Sequence, residues 1–259
     1  MITEKARIIS HKELAKGIYA LSLECAASKE THPGQFVNVY LKNPAKLLPR
    51  PISICDAGNG AIRLVYRVTG DASGTAELSS YQVGDEVRIT GPVGRGYPLS
   101  ELKGAGRGDV VLMGGGIGVP PMLYLAKELL GHCTIVLGYR DSDTFLLEDF
   151  KNTKADILLA SDDGSVGVHG TVMDAIEEAG VTPGVICACG PKPMLSAVKS
   201  FAKRTGAAAY ISLEERMACG VGACLGCVTG TTGTDAHSHV KNARVCVDGP
   251  VFLADEVEI

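Results

Sequence analysis

The sequence predicts a multi-domain fold: an antiparallel β-barrel, then an α/β domain with a parallel sheet, then a small C-terminal subdomain. Three observations predict this class. Short runs that partly alternate apolar and polar residues fill the first hundred positions, with turn residues between them. Strand-like runs then alternate with helical stretches, as in βαβ units. The remaining residues are glycine-rich and carry four clustered cysteines. We place the three parts at residues 1–103, 104–213 and 214–259.

Composition and charge exclude several classes of protein. The chain has 259 residues, 46% of them hydrophobic and 21% charged, which is ordinary for a globular protein. A net charge of −4 offers no bulk attraction to nucleic acid or to an anionic membrane. No apolar run reaches the length of a bilayer span, and residues 1–5 do not resemble the start of a signal peptide. We therefore expect a cytoplasmic protein.

The predicted barrel strands are short and evenly separated. Turn residues at 33–34, 58–60 and 84–85 divide them, and one helical stretch at 74–81 interrupts them. The strand-like runs are residues 6–10, 18–23, 35–41, 62–68 and 86–89.

The α/β domain follows a glycine-rich linker at residues 103–108. Its predicted helices are residues 121–130, 171–178 and 193–204. Its predicted strands are residues 109–113, 134–137, 157–160, 185–188 and 208–213. This alternation indicates a parallel sheet.

Four of the nine cysteines, Cys219, Cys224, Cys227 and Cys246, follow the spacing C-x4-C-x2-C with a distant fourth cysteine. This is the plant-type 2Fe–2S pattern, in which three thiolates on one tight loop reach both irons and the fourth completes the cage. The glycines between them allow backbone N–H groups to point at sulfur. The alternative is a structural zinc site, but zinc cysteines usually form two similar knuckles. We expect His237 and His239 to lie in a solvated loop.

Two glycine turns predict a nucleotide site. Residues 113–122, with Gly115, Gly116, Gly118 and Pro120, follow a buried strand and open a helix. Glycine permits close approach of a pyrophosphate, and a helix N-terminus favours its negative charge. The pattern is not the Rossmann fingerprint, because Val119 replaces the third glycine, and a tight turn is the alternative. The turn at 189–191 repeats the design, and two such turns can line one crevice.

The first domain contains three further motifs. Residues 50–53 begin a strand with Arg50, which can pair with a phosphate. Within residues 65–67, Tyr66 can stack on a planar ring. Gly74 and Thr75 begin a helix that can hold a second phosphate. Taken singly, each has an alternative interpretation: a surface arginine, a core tyrosine and a helix cap.

Together these motifs resemble the ferredoxin–NAD(P) reductase superfamily, and within it the dihydroorotate dehydrogenase B electron-transfer subunits. The similarity is carried by residues 50–53, 114–121, 189–191, 214–224 and 245–252, in the expected order. The gap from Cys227 to Cys246 is shorter than in plant ferredoxins. The resemblance implies FAD at Arg50, Pro51, Ile52, Ser53, Val65, Tyr66, Arg67, Gly74 and Thr75. It implies NAD at Gly115, Gly116, Gly118, Pro120, Cys189, Gly190 and Pro191, and the 2Fe–2S cluster at the four clustered cysteines.

The resemblance also implies an activity and a partner. Electrons would pass between NAD(H), FAD and the cluster, to or from an FMN-containing dihydroorotate dehydrogenase catalytic subunit. That subunit oxidises dihydroorotate to orotate in pyrimidine biosynthesis, commonly within a heterotetramer of two chains of each kind. The three motif groups occupy the whole chain, so no domain remains for an organic substrate and no catalytic side chain is assigned.

We expect NAD rather than NADP. Asp162 and Asp163 follow a predicted strand and would repel a 2′-phosphate, although Arg140 lies near the end of another predicted strand. Two other functions are considered. One is a reductase subunit of the NAD(P)H–ferredoxin or sulfide dehydrogenase type, and the other is a zinc-stabilised nucleotide-binding regulatory module.

Overall fold

The computed structural model describes residues 1–106, 109–234 and 239–259. Arg107 and Gly108 of the predicted linker, and His237, lie outside the described residues. Within the described part, no helix has the length and apolar character needed to cross a bilayer.

Six antiparallel strands form a closed barrel in the order β1-β2-β5-β4-β3-β6. The sequence predicted five of them and the start of β4. Between β5 and β6 lies helix α1 (Gly74–Ser79), which the Ser73 side chain caps by accepting from the Ala76 N–H. The strands are β1 (Ile2–Ala15), β2 (Ile18–Glu24), β3 (Phe36–Tyr40), β4 (Arg50–Gly58), β5 (Ala61–Arg67) and β6 (Glu86–Val93).

Alternation along β3 gives the barrel wall two different faces. Val37 and Val39 pack in the barrel core with Ile52, because successive side chains of a strand point to opposite sides. Phe36 lies on the other side and packs with residues of the α/β domain and the C-terminal segment. Asn38 shares the side of Phe36. The outer face of β3 therefore packs against the α/β domain and the C-terminal segment.

The α/β domain contains a seven-stranded sheet in the order β10-β9-β8-β7-β11-β12-β15. Its strands are β7 (Val110–Gly115), β8 (Thr134–Tyr139), β9 (Asp156–Ser161), β10 (Val168–His169), β11 (Val185–Cys189), β12 (Ala208–Ser212) and β15 (Val251–Leu253). Every residue of β7 is buried, as expected for a central parallel strand covered on both faces. The helices are α2 (Leu99–Gly104), α3 (Val119–Glu128), α4 (Leu147–Lys151), α5 (Val172–Glu178) and α6 (Lys192–Thr205).

The C-terminal segment is joined to the sheet. Strands β13 (Val228–Gly230) and β14 (Asn242–Arg244) pair antiparallel, and β15 then pairs antiparallel with β12. The predicted division at residue 213 therefore separates two strands that share one sheet, and the three domain boundaries remain a prediction.

Polar contacts connect the barrel directly to the α/β domain. Arg63 Nη1 on β5 lies 2.6 Å from Asp149 Oδ1 on α4, and Lys127 on α3 pairs with Asp56 on β4. The buried Tyr97 hydroxyl donates to the Ala188 carbonyl on β11 at 3.0 Å. These contacts fix how the outer face of the barrel meets the carboxyl ends of the parallel strands.

Candidate cofactor site

The two predicted glycine turns lie side by side. Strands β7 and β11 are parallel neighbours, with Gly114 in register with Cys189. The chain proceeds from β7 toward β8 on one side, while β11 and β12 lie on the other. The strand order therefore reverses between β7 and β11, and such reversals are where open α/β sheets bind ligands.

The close contact between the two turns at Gly118 requires a residue without a side chain. A Cβ atom there would lie 2.2 Å from the Cys189 carbonyl oxygen, so the two turns are in backbone contact. A Cβ on Gly115 or Gly190 would meet the Met194 sulfur, at 2.5 Å and 2.6 Å. The structure thus brings the predicted NAD residues of both turns together, with the Met194 side chain against both.

The β7 turn is suited to an anionic group. Gly116 adopts φ 54°, and the ten-residue helix α3 starts directly after the turn with Pro120 in its first turn. The helix dipole favours negative charge at such a start, and Pro120 suits the first turn because its backbone angle is already helical.

Arg67 connects the barrel to this turn. It ends β5, and its Nη2 lies 3.7 Å from the position that a Cβ on Gly116 would occupy. Glu214 borders the same crevice: surrounding protein raises its carboxyl pKa, and the Arg67 guanidinium lowers it by less. Burial also raises the pKa of the Cys189 thiol to about 12, and Glu214 adds to the effect. Cys189 is therefore a neutral thiol beside the turn.

Arg50, Gly74 and Thr75 form a second group at the end of the barrel. A Cβ on Gly74 would lie 2.1 Å from Arg50 Nε, so the guanidinium covers the start of α1. Thr75 Oγ1 accepts from the Thr69 N–H at 3.1 Å and lies 3.0 Å from Ser73 Oγ. A guanidinium beside hydroxyl groups is suited to a phosphate.

The other predicted FAD residues divide between the two faces of the barrel wall. Pro51 pairs with Asn38, and Ser53 pairs with Phe36, so both lie on the outer face. In contrast, Ile52 is 6% exposed and packs in the barrel core. Its side chain faces away from any ligand on the outer face. Only the backbone N–H and carbonyl of Ile52 could contact such a ligand.

Val65 and Tyr66 are also packed within the protein. Val65 is 4% and Tyr66 3% exposed. The Tyr66 ring stacks on Tyr19 with centroids 5.9 Å apart, and its hydroxyl lies 2.9 Å from His11 Nε2. The stacking that the sequence assigned to a flavin is made here with Tyr19, so contact between Tyr66 and FAD remains a prediction.

The first two cluster cysteines lie on one loop that aims N–H groups at sulfur. Cys219 Sγ accepts from Val221 N at 3.4 Å and from Ala223 N at 3.3 Å, and Cys224 Sγ accepts from Gly226 N at 3.4 Å. Burial raises the pKa of Cys219, but these N–H groups and the Cys224 thiol outweigh it and bring the pKa to about 6.

Cys227 and Cys246 form a second, buried pair, 3% and 0% exposed. Strand β13 begins directly after Cys227, and its partner β14 ends two residues before Cys246. The Val245 N–H donates to the Cys227 carbonyl at 2.9 Å. Burial, followed by the neighbouring Cys227, raises the pKa of Cys246. A positive metal centre would offset this repulsion between thiolates.

The chemistry of the four thiols suits a two-iron cluster. They associate as Cys219 with Cys224 and Cys227 with Cys246, which matches two ligands for each iron. Structural zinc instead needs four ligands around one ion. Across residues 1–106, 109–234 and 239–259, no three His, Cys, Asp or Glu side chains gather around a single metal position. His239 is exposed, as predicted.

Arg244 supports the cluster loop and was missed by sequence reasoning. Its Nη1 donates to the Gly222 carbonyl at 3.3 Å, and its Nε lies 3.2 Å from Asp248 Oδ2. Burial raises the pKa of Asp248, but Arg244 outweighs it, and the pKa is lowered. Asn38 was also missed; its Nδ2 donates to the Gly220 carbonyl at 3.2 Å. Asn38 is far from the cysteines in sequence, and Arg244, although two residues before Cys246, belongs to no recognisable motif, so neither carries a spacing signal.

Comparison with known proteins agrees with this geometry. The family described as "Oxidoreductase FAD-binding domain" matches residues 5–97. The family described as "Iron-sulfur cluster binding domain of dihydroorotate dehydrogenase B" matches residues 214–258. A Geobacillus thermodenitrificans protein named dihydroorotate dehydrogenase B (NAD(+)), electron transfer subunit, is 41% identical over 261 residues, which cover 98% of each chain. The chain belongs to this family of electron-transfer subunits.

Other relatives agree with the family assignment. The subunit of the same name from Listeria monocytogenes serotype 4b is 40% identical, with 100% of both chains covered. An NADH-dependent reduced ferredoxin-NADP oxidoreductase, studied for flavin-based electron bifurcation, has TM-score 0.82 and 28% identity over 98% of this chain and 89% of its own. Phthalate dioxygenase reductase shares the fold, with TM-score 0.62 and 17% identity over 95% and 94%.

These comparisons confirm the predicted family and fold class. They also confirm an NAD-dependent flavin and iron–sulfur oxidoreductase subunit with FAD and a 2Fe–2S cluster as its cofactors. The individual residues assigned to each cofactor remain predictions, which the following two substitutions test.

Gly118→Ala should weaken NAD(H) binding. The added Cβ would push the β7 turn away from the Cys189 carbonyl, and overpacking costs about 1–3 kcal/mol, or about fivefold to 150-fold in the dissociation constant. The measurement is NADH binding to FAD-loaded protein. Gly104→Ala is the control, because nothing lies within 4 Å of its added Cβ. Unchanged NADH affinity in Gly118→Ala would contradict the assigned site.

Cys224→Ser should abolish the visible absorbance of the cluster and most of the bound iron, while FAD remains bound, because three cysteines cannot complete the ligand set. Iron analysis and an absorbance spectrum measure both. Cys25→Ala is the control, because Cys25 is a buried cysteine of the barrel core. Full iron content in Cys224→Ser would show that this cysteine is not a ligand.

Proposed function

We propose that this chain carries electrons between NAD(H) and an FMN-containing dihydroorotate dehydrogenase catalytic subunit, in the oxidation of dihydroorotate to orotate during pyrimidine biosynthesis. The observation that supports it most is the convergence of three sites. Arg67 of the barrel lies beside Gly116 of the nucleotide turn. Asn38 of the barrel contacts Gly220 of the cluster loop. A predicted FAD residue therefore adjoins the predicted NAD turn, and a barrel strand paired with other predicted FAD residues adjoins the cluster loop.

The residues of this chain bind and orient its cofactors. When bound, FAD exchanges a hydride with NAD and single electrons with the cluster, and the redox chemistry is that of the cofactors. Arg50, Gly74 and Thr75 would hold the phosphates of FAD, and Pro51 and Ser53 would line its ring on the outer barrel face. The turns at Gly118 and Gly190 would hold NAD against them.

Arg67 and Cys189 would control charge and access of water beside the glycine turn that follows β7. Arg67 places a fixed positive charge beside Gly116, where a dinucleotide phosphate or a reduced ring would carry negative charge. Cys189 is 6% exposed and neutral, so it fills the strand end without adding a competing charge or admitting water. No side chain is needed as a general acid or base for hydride exchange.

Exposure of the cluster loop supports transfer to a separate partner. Cys224 is exposed, and the neighbouring Leu225 is 65% exposed with φ 58°, a left-handed conformation unusual for leucine. Val221 on the same loop is 37% exposed. Apolar side chains around an exposed ligand are suited to a protein interface. We take the partner to assemble with this chain as two copies of each.

We place the assembly in the cytoplasm. The five cysteines outside the predicted cluster form no disulfides, which is the state that a reducing compartment maintains.

A second function is favoured by one comparison. The 28% identity to an NADH-dependent reduced ferredoxin-NADP oxidoreductase, with TM-score 0.82, supports a subunit that exchanges electrons with a ferredoxin. The relatives named as dihydroorotate dehydrogenase B subunits are more similar, at 38–41% identity among those compared, so we rank this alternative second.

Dihydroorotate-dependent reduction of NAD⁺ tests the proposal. The chain is co-expressed with the FMN-containing dihydroorotate-oxidising subunit from the same source, and formation of NADH is followed. We expect activity only when both chains are present, and its loss with Cys224→Ser. Absence of activity, with FAD and cluster absorbance that NADH still bleaches, would reject this partner and favour the ferredoxin-type alternative.

NADH should be preferred to NADPH. The backbone N–H groups of Asp162 and Asp163 donate to the Tyr139 and Arg140 carbonyls at 3.2 and 3.3 Å, so the two acidic residues follow β9 directly beside the end of β8. Hydrogen bonds from Ser165 lower the pKa of Asp163 and keep it ionised. A 2′-phosphate there would meet negative charge.

Asp162→Asn with Asp163→Asn should raise the ratio of kcat/KM for NADPH to that for NADH by about tenfold, through removal of about 1.4 kcal/mol of repulsion. Steady-state reduction of an artificial acceptor measures both values. Glu178→Gln, which removes an exposed charge from the same domain, is the control. Equal use of both nucleotides by the unmodified protein would refute the assignment.

A further inference from the structure

Asn38 is a fully buried polar side chain in a barrel strand. It is 0% exposed and lies on the outer face of β3, between Pro51 on β4 and Thr90 on β6. Its Nδ2 donates to the Gly220 carbonyl at 3.2 Å, across 182 residues of sequence. Among the described residues, this is the one side-chain hydrogen bond that joins the barrel to residues 214–227. Asn38 therefore links a predicted FAD strand to the cluster loop.

The contact with Gly220 is close as well as hydrogen-bonded. A Cβ on Gly220 would lie 2.4 Å from Asn38 Oδ1 and 2.5 Å from Nδ2, so the amide group lies against the glycine Cα. Gly220 adopts φ 63°, which disfavours other residues. It stands between Cys219 and Val221, whose N–H donates to Cys219 Sγ at 3.4 Å. The amide thus fixes the part of the loop that aims an N–H group at the cluster sulfur.

The amide oxygen is not explained by stability. Asn38 Oδ1 is buried and has no hydrogen-bond partner in the described part of the chain. A buried polar atom without a partner destabilises the fold; an apolar side chain of similar shape would remove that penalty at Oδ1 but would leave the buried Gly220 carbonyl without its donor. Leucine is close to asparagine in size. An asparagine in this position therefore needs a reason other than packing.

We propose that Asn38 is a positioning residue for electron transfer: it holds the Cys219–Val221 turn against the flavin-binding face of the barrel. In this role it sets the hydrogen bonding to Cys219, and with it the reduction potential of the cluster. It also sets the separation across which an electron passes. A hydride from NADH would supply two electrons to bound FAD, which would pass them singly to the cluster. The proposal rests on the function proposed above.

The test compares Asn38→Leu with Thr90→Val. Thr90 is a matched control: it is 5% exposed on the same face, and its hydroxyl lies 2.9 Å from Thr3 Oγ1. The holoprotein is mixed with NADH without oxygen, and bleaching of flavin and cluster is followed at separate wavelengths. Thermal unfolding, iron content, the potential of the cluster and the electron paramagnetic resonance spectrum of the reduced cluster are also measured.

We expect Asn38→Leu to fold and to bind FAD and iron, with an unfolding temperature that is unchanged or lower, because the Gly220 carbonyl loses its donor. Its flavin should be reduced by NADH at the wild-type rate. Cluster reduction should be slower by about tenfold, the scale of losing an outer-shell contact to a metal centre, and the resonance spectrum and potential should shift. Thr90→Val should match the wild type in both transfer steps. Asn38→Ser replaces Asn38→Leu if the latter does not fold.

A double-mutant cycle gives a second test. Gly220→Ala should clash with the amide, and Asn38→Ala should remove the obstacle, so the double variant should recover part of the cluster potential that Gly220→Ala loses. Additive effects on the potential, or wild-type cluster reduction in Asn38→Leu, would overturn the proposal. Wild-type protein without FAD or iron would instead refute the proposed function itself.

Discussion

The rest of the site depends on how closely backbone segments approach one another where side chains are absent. At Gly118 the β7 turn touches the Cys189 carbonyl, at Gly74 the start of α1 lies under the Arg50 guanidinium, and at Gly220 the cluster loop lies under the Asn38 amide. Each contact leaves no room for a Cβ atom. Each also lies at one of the three predicted cofactor sites, so the same constraint shapes all of them.

This constraint has a physical reason. Electron transfer between separate carriers weakens steeply with distance, and hydride exchange needs two rings in contact. A protein that holds three carriers must therefore bring its binding segments together without intervening side chains. The contacts of Arg63 with Asp149 and of Tyr97 with Ala188 hold the barrel against the sheet, which maintains this approach from outside the crevice.

Local chemistry explains which parts could be predicted from the sequence. The cysteine spacing and the glycine turns act within a few residues of one another, so their geometry is encoded in the order of residues. Apolar periodicity likewise located the long helices, such as α3 and α6, and the buried strand β7.

The remaining features arise from contacts between distant segments. Strand β15 has three residues and is defined by pairing with β12, too short for any periodic signal. Asn38 and Arg244 acquire their roles by contacting glycines of the cluster loop. The stacking of Tyr66 on Tyr19 joins two strands of the barrel, and no spacing in the sequence indicates it. Sequence patterns identify the types of group available, and tertiary packing determines which of them meet.

An anaerobic reductive titration of the purified chain, without its partner, tests most directly whether one chain connects NAD(H) to the cluster. Dithionite should be consumed at about three electrons per chain, two at the flavin and one at the cluster, and NADH should bleach both absorbances. This result would show that one chain connects NAD(H) to a one-electron carrier. Uptake of about two electrons with unchanged cluster absorbance would contradict the proposed path between the barrel and the cluster loop.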